Sequence, residues 1–199
     1  MKVLAIVGSN AVSGSGRPVE SGQGAIEKAA SSFLETVARE GYEVEPVFLR
    51  NLRIEYCDHC EVCDHEERCS HDDDFWPVYQ KMKAVSTIVV FTSVTSGMMN
   101  PKLSALLLRA GRIARKHADG FRGRLSGSFL EEFSDGGELV QGQLRIWFRM
   151  MLMSEPVETR VRVGRGVDGR HSLPGGEQEA RRLDAAQELG KKLMWKLAT

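Results

Sequence analysis

Cysteine is absent from this 199-residue chain except between Cys57 and Cys69, where four cysteines fall within thirteen residues. Cysteines this close together would not staple distant elements, so the pattern argues against the disulfide framework of a small secreted domain. In a reducing compartment, clustered cysteines usually bind a metal or carry redox chemistry. The sequence therefore predicts a cytoplasmic protein with a metal-binding or redox loop.

The sequence also lacks a run of residues long and apolar enough to cross a bilayer. Its apolar opening, Val3–Val7, leads into Gly8 and Ser9 and not into a small-residue cleavage site. We interpret this opening as a first strand and expect no membrane association.

Net charge is lacking as well, because 27 Lys and Arg balance 27 Asp and Glu. The total gives no reason to expect a nucleic-acid partner. The two halves differ, since residues 1–99 carry a net charge of −6 and residues 100–199 a net charge of +6. Two interpretations stay open: two solvated faces of opposite sign, or an assembly in which the acidic face of one protomer meets the basic face of another.

The hydrophobic pattern predicts strands and helices in strict alternation. The length and an apolar share of 42% suit a single domain over residues 1–199, without internal repeats or linkers. The predicted strands are Val3–Val7, Glu43–Leu49, Thr87–Phe91, Leu125–Phe133 and Val157–Val163, with Glu131 and Glu132 interrupting the fourth. Helices follow each strand, with caps expected from residues 72–74 and from Asn100. Alternation of this kind predicts an α/β fold with a doubly wound parallel sheet and ligands beyond the carboxyl ends of its strands.

The four cysteines follow the second strand with the spacing Cys57-x2-Cys60-x2-Cys63-x5-Cys69, inside an inserted loop over residues 55–74. Thiolates separated by two residues can converge on one cuboidal iron–sulfur cluster, and the fourth ligand lies close by. Two alternatives stay open. The loop could bind zinc, because His59, His65 and His71 offer nitrogen ligands, or it could hold four unligated thiols. The spacing favours a [4Fe–4S] cluster.

Carboxylates crowd the same loop. Negative charge beside an anionic cluster disfavours the addition of an electron, so they predict a low reduction potential. The alternative is that these carboxylates only solvate an exposed loop. The six carboxylates concerned are Glu55, Asp58, Glu61, Asp64, Glu66 and Glu67.

A glycine-rich loop joins the first strand to the first helix. Gly8-Ser9 closes the strand, and Ser21-Gly22-Gln23-Gly24 opens the helix. Backbone N–H groups and hydroxyls at a helix N-terminus attract a phosphate. The loop has neither the Gly-x-Gly-x-x-Gly dinucleotide pattern nor the lysine of a P-loop, so a plain glycine-rich turn is the alternative.

Taken together, these features resemble the iron–sulfur flavoproteins, within the flavodoxin-like NAD(P)H-dependent FMN reductase superfamily. The resemblance depends on three segments: the opening Lys2–Ser9, the compact four-cysteine run after the second strand, and the stretch from Thr92 to Gly97 that leads into Leu103-Ser104-Ala105-Leu106. It covers residues 1 to about 120 well. The fold that it implies is flavodoxin-like, with five parallel strands in the order 2-1-3-4-5 and the cysteine loop after strand 2.

The resemblance also implies non-covalent FMN. Ser9, Ser21, Gly22, Gln23 and Gly24 would hold its phosphate. Ser93, Val94, Thr95, Ser96, Gly97 and Met98 would hold its ring and ribityl chain, and Ser134, Asp135, Gly136 and Gly137 would supply a third loop.

The function expected from these features is that of an electron-transfer oxidoreductase, in which FMN exchanges two electrons and a [4Fe–4S] cluster exchanges one. NAD(P)H or a redox protein would be the donor, and the resemblance implies a homodimer or homotetramer. The alternatives are an FMN-dependent NAD(P)H reductase with zinc in the cysteine loop, and an iron–sulfur redox sensor that has lost flavin turnover. No catalytic acid or base is assigned.

Overall fold

A computed structural model describes residues 1–9, 24–117, 120–133, 135–163 and 175–198. Five strands run along the chain: β1 (Lys2–Gly8), β2 (Glu43–Phe48), β3 (Thr87–Val94), β4 (Leu125–Glu132) and β5 (Val157–Arg162). The helices are α1 (Ala25–Arg39), α2 (Val62–His65), α3 (Phe75–Ala84), α4 (Pro101–His117), α5 (Gly137–Met150) and α6 (Gly175–Ala198), with a 3₁₀ turn at Leu49–Asn51.

The strands form one parallel sheet in the order β2-β1-β3-β4-β5, which confirms the predicted flavodoxin-like fold. The order reverses at β1 and β3, which pair from Val3↔Thr87 to Gly8↔Thr92. At such a switch point the loops leave in opposite directions and open a crevice at the carboxyl ends of the strands.

Helices cover both faces of the sheet, so β1 is buried on both sides. Val3, Ala5 and Val7 pack with α1 and α6 on one face. Leu4 and Ile6 pack with α3, α4 and α5 on the other. The continuous apolar run of the first strand therefore reflects a central strand in a three-layer fold.

The end of β4 differs from the sequence prediction. Glu131 and Glu132 do not interrupt the strand but continue it, and both are buried. Each carboxylate reaches an arginine: Glu131 hydrogen-bonds Arg182 of α6, and Glu132 lies 3.4 Å from Arg162 of β5. A buried charge is tolerated when it is paired, which is why a polar pair can end a central strand.

Two predicted caps have counterparts in the structure. The side chain of Asn100 accepts a hydrogen bond of 3.2 Å from Leu103 N–H and so caps α4. Within residues 72–74, it is Asp73 that accepts from Phe75 N–H, at 3.2 Å, where α3 begins.

Candidate functional site

The first candidate loop follows β1, and its described residues surround a buried carboxylate. Glu27, in the first turn of α1, is fully buried. Its carboxylate accepts hydrogen bonds from the Ser9 hydroxyl, at 2.7 Å, and from Gly24 N–H, at 3.2 Å. Arg50 lies 3.4 Å from the same carboxylate and supplies the opposite charge. The protein's own anion thus binds two groups that the sequence analysis assigns to a phosphate.

The second candidate loop follows β3 and is a tight turn. Thr95 and Met98 exchange backbone hydrogen bonds of 3.1 and 3.0 Å, and Ser96 and Gly97 between them have φ of +53° and +73°. Positive φ at both central residues is typical of a type I′ turn. Met98, the last residue of the turn, is about two-thirds exposed, so the turn presents an apolar side chain to solvent.

Two residues assigned to this loop lie inside the strand instead. β3 continues through Ser93 and Val94, which pair with Glu131 and Glu132 of β4. The side chain of Val94 is fully buried in the core, and its carbonyl accepts the N–H of Phe133. The strand is longer than predicted because its neighbour β4 extends equally far and provides hydrogen-bonding partners.

The third candidate loop packs directly on the second. A Cβ built on Gly136 would lie 2.3 Å from the Cα of Gly97, and Gly136 has φ of +111°. Asp135 is exposed and lies 3.1 Å from Arg162. Gly137 N–H donates to the Glu132 carboxylate at 3.0 Å. The N-terminus of α5 is therefore capped by an internal carboxylate, as that of α1 is.

Four of the predicted flavin-site residues, Ser21, Gly22, Gln23 and Ser134, lie outside the described residues. The described residues that directly follow β1, β3 and β4 lie at one edge of the sheet, because parallel neighbouring strands end on the same side.

All four cysteines line one pocket. Cys57, Cys60, Cys63 and Cys69 share it with Arg109, Arg112 and Ile113 of α4. Cys60 is exposed and its Sγ lies 2.9 Å from Ser70 Oγ, whereas Cys63 is buried. His59 and Glu61, on either side of Cys60, have φ of +58° and +64°. Such conformations cost free energy in non-glycine residues, so the backbone on both sides of Cys60 is strained.

Arg109 ties both ends of the cysteine loop to α4. Its guanidinium is buried and donates to both carboxylate oxygens of Asp73, at 2.5 and 2.9 Å. It also donates to the carbonyl of Glu55, at 3.0 Å, and to the Sγ of Cys69, at 3.2 Å. The ring of Phe75 lies 4.1 Å from its central carbon. This combination fixes the guanidinium in one orientation against a cysteine sulfur.

Arg112 lies one helical turn beyond Arg109, on the same face of α4. It contacts His59 Nδ1 at 2.6 Å and Asp64 at 3.5 Å. Burial raises the pKa of the Cys63 thiol, and the positive charge of Arg112 opposes this rise. Two arginines therefore face the cysteine pocket.

The Asp73 carboxyl responds to the same network. Burial would raise its pKa, but hydrogen bonds from Arg109 and from the backbone of Glu55 outweigh this, so the pKa lies below its ordinary value. Asp73 is therefore a carboxylate at neutral pH and balances the charge of Arg109.

Four residues of the site were not predicted as such from the sequence: Glu27, Asp73, Arg109 and Arg112. One signal was available: Arg109 lies three residues after Leu106 and four before Ile113, at a core-facing position of an amphipathic helix. Glu27 lies three residues before Ala30 and seven before Leu34, at a core-facing position of α1. A charge at a buried helical position indicates a partner in the interior, but not which partner.

Two further features are absent from the residues that the structure describes. No three His, Cys, Asp or Glu side chains in them are placed to hold a single metal ion. No helix in them is long and apolar enough to span a membrane.

Comparison with known proteins adds a family and two relatives. The family model for NADPH-dependent FMN reductases matches residues 1–167. An iron–sulfur flavoprotein of Methanosarcina thermophila is 34% identical over 91 residues, which is 46% of this chain and 48% of that protein. An iron–sulfur flavoprotein of Archaeoglobus fulgidus is 26% identical over 119 residues, 60% of this chain and 59% of that protein. The matched stretches thus span about half to three-fifths of these curated relatives.

Solved structures share the fold at low sequence identity. An FMN-dependent NADH-azoreductase from Bacillus anthracis, in complex with FMN, superposes with a TM-score of 0.63 at 14% identity and covers 97% of this chain and 99% of that one. An NAD(P)H:quinone oxidoreductase from Methanothermobacter marburgensis gives a TM-score of 0.60 at 14% identity, over 98% and 97% of the two chains. At this identity the likeness concerns the fold alone.

Proposed function

Because the chain belongs to the NADPH-dependent FMN reductase family, we propose that it is an oxidoreductase that binds FMN and couples it to a [4Fe–4S] cluster held by Cys57, Cys60, Cys63 and Cys69. FMN exchanges electrons in pairs or singly and the cluster exchanges one at a time, so together they would join a two-electron donor to a one-electron carrier. NAD(P)H is the donor that the family suggests, and a redox protein is the proposed alternative donor.

The convergence of all four cysteines on one pocket carries the cluster proposal. Four thiolates form a soft donor set that suits iron–sulfur clusters. Arg109 and Arg112 offset the negative charge of such a centre, so the residues present fit the group. The two relatives named as iron–sulfur flavoproteins add independent support.

The loops at the carboxyl edge support the flavin proposal. The Ser9 hydroxyl and Gly24 N–H at the N-terminus of α1 already meet an anion, the Glu27 carboxylate, and the phosphate would take the place of that carboxylate as their acceptor. The turn at Thr95–Met98 presents exposed Thr95 and Ser96 and an apolar side chain, which suits an amphipathic ligand. The remaining assigned residues, Ser21, Gly22, Gln23 and Ser134, belong to the same proposal.

Anaerobic purification followed by metal, sulfide and flavin analysis tests the proposal. We expect about four iron and four sulfide per chain for one [4Fe–4S] centre, together with FMN. Cys60→Ala should lose iron but keep the α/β circular dichroism signature, and Ser70→Ala, beside it, is the matched control that should keep iron. Stoichiometric zinc in place of iron would overturn the cluster, and absence of FMN after incubation with excess flavin would overturn the flavin site.

We also propose a homodimer or a dimer of dimers, the common closed symmetries. Leu139, Ile146 and Met150 are exposed at spacings that place them on one face of α5, which leaves an apolar stripe for a second copy to cover. The acidic cysteine loop gives a charged surface that a basic region of a neighbour could meet. Sedimentation at low and high salt tests this: a monomer at micromolar concentration in both would refute it, and loosening at high salt would show that charges contribute.

A further inference from the structure

We propose that Arg109 sets the reduction potential of the cluster, because its guanidinium donates a hydrogen bond to the Sγ of Cys69 and stabilises the centre once it has gained an electron. This inference rests on the proposed function. The potential of an iron–sulfur cluster depends on net charge, on hydrogen bonds to its sulfurs and on solvent exposure. The Arg109 to Cys69 contact of 3.2 Å is a hydrogen bond of this kind from a cationic donor.

The position of this donor is fixed. Both terminal nitrogens of the Arg109 guanidinium donate to the Asp73 carboxylate, and one of the two also donates to the Glu55 carbonyl. The guanidinium is 1% exposed. A buried donor held on several sides keeps its orientation when the sulfur gains charge, so no reorganisation is needed. It also acts where water screens little, which makes its effect larger than that of a surface arginine.

Asp73 opposes Arg109 in this respect. Its carboxylate cancels much of the arginine charge at longer range, so Arg109 acts on the cluster chiefly through the N–H that points at Cys69. Removing the carboxylate should leave a fuller positive charge beside the sulfur. The two residues of one ion pair therefore have opposite expected effects on the potential.

This arrangement also changes the expectation drawn from the sequence. The acidic loop predicts a low potential, because its carboxylates disfavour an added electron. Two of the loop's carboxylates, Asp73 and Asp64, are paired to arginines of α4. The groups closest to the sulfurs then include two cations, which counteract the acidic surroundings.

The test is an anaerobic redox titration of iron-loaded protein, followed by electron paramagnetic resonance, with iron counted first in every sample. Arg109→Gln should shift the midpoint potential to more negative values, and Asp73→Asn should shift it to more positive values. The double variant Arg109→Gln with Asp73→Asn keeps the net charge of the wild type and removes the cationic donor, so its potential should lie below that of the wild type. Arg145→Gln removes an exposed arginine paired to Glu158 and should leave the potential unchanged.

Opposite shifts are a result that general damage to the fold does not produce. If Arg109→Gln fails to hold iron, the midpoint potentials of the double variant and of Asp73→Asn still test the proposal, with a negative shift expected for the first and a positive shift for the second. If the two single variants hold four irons at the wild-type potential, or if both shift it in the same direction, the role of Arg109 is overturned while the cluster stays in place. A wild-type protein without iron overturns the proposed function itself, and the iron count separates the two failures.

Discussion

The Glu27 carboxylate accepts a hydrogen bond of 2.7 Å from the Ser9 hydroxyl, inside the loop region that the sequence assigns to a phosphate. A bound phosphate would meet a buried negative charge there, held in place by Gly24 N–H and balanced by Arg50. The structure thus contains both a competitor for the phosphate and the cation that offsets it.

Glu27→Gln should therefore strengthen FMN binding, by about tenfold, or about 1.4 kcal/mol. Glutamine keeps an oxygen that accepts from the helix N-terminus but removes the charge that repels a phosphate. Fluorescence titration of flavin-free protein measures the affinity. Glu35→Gln, at an exposed position of the same helix, is the control that should bind FMN like the wild type. Unchanged or weaker binding by Glu27→Gln would place the phosphate elsewhere.

Arg50→Gln should have the opposite effect on the same affinity. It removes the cation 3.4 Å from Glu27 and leaves that carboxylate uncompensated beside the phosphate. We expect FMN binding to weaken by about tenfold or more. The double variant with Glu27→Gln should recover much of the loss, which is measured by the same titration. A loss that the second change does not recover would contradict the pairing.

Gly136→Ala should disturb the flavin loops without unfolding the sheet. The new Cβ would lie 2.3 Å from Gly97 Cα, and the φ of +111° is one that alanine rarely adopts. We expect a loss of stability of about 1–3 kcal/mol and weaker FMN binding. Gly142→Ala, in α5 with open space around it, is the matched control and should be neutral or stabilising. Urea unfolding and flavin titration measure the two effects.

Asp73→Asn should destabilise the metal-free protein by about 3 kcal/mol at pH 7. The substitution leaves the Arg109 guanidinium buried with no full negative charge to balance it. Urea denaturation measures the difference. Asp74→Asn is the neighbouring control; it removes an exposed carboxylate that accepts from Arg53 N–H, so a smaller loss is expected. Equal losses in the two variants would show that the Arg109 pair adds little.

The stabilising effect of Asp73 should disappear in acid. Its pKa in the folded protein lies below its ordinary value of 3.8. Its ionised form therefore stabilises the fold fully above about pH 3.8, and this stability is lost as the pH falls through the folded pKa. The difference in unfolding free energy between wild type and Asp73→Asn should narrow below about pH 3.8. A difference that stays constant down to pH 2.5 would refute the pKa shift.

The sequence by itself determined the order of the elements. The apolar run Val3–Val7 predicts a central strand because only a strand covered on both faces needs to be apolar at every position. The alternation of strands with amphipathic helices predicts a parallel sheet whose crossover connections are right-handed. The cysteine spacing predicted a common site, since residues so close in sequence share a loop wherever that loop lies.

Tertiary structure alone decided which charges meet. Arg109 lies 36 residues from Asp73 and 40 from Cys69, and Glu131 lies 51 residues from Arg182. A local sequence pattern does not identify partners this far apart, because a buried charge needs a partner but does not specify where in the chain that partner lies. The same holds for Glu27 and Arg50, which are brought together only when α1 packs beside the end of β2. Tertiary structure also decided where β3 and β4 end, because Ser93 and Val94 extend β3 only while β4 runs beside them.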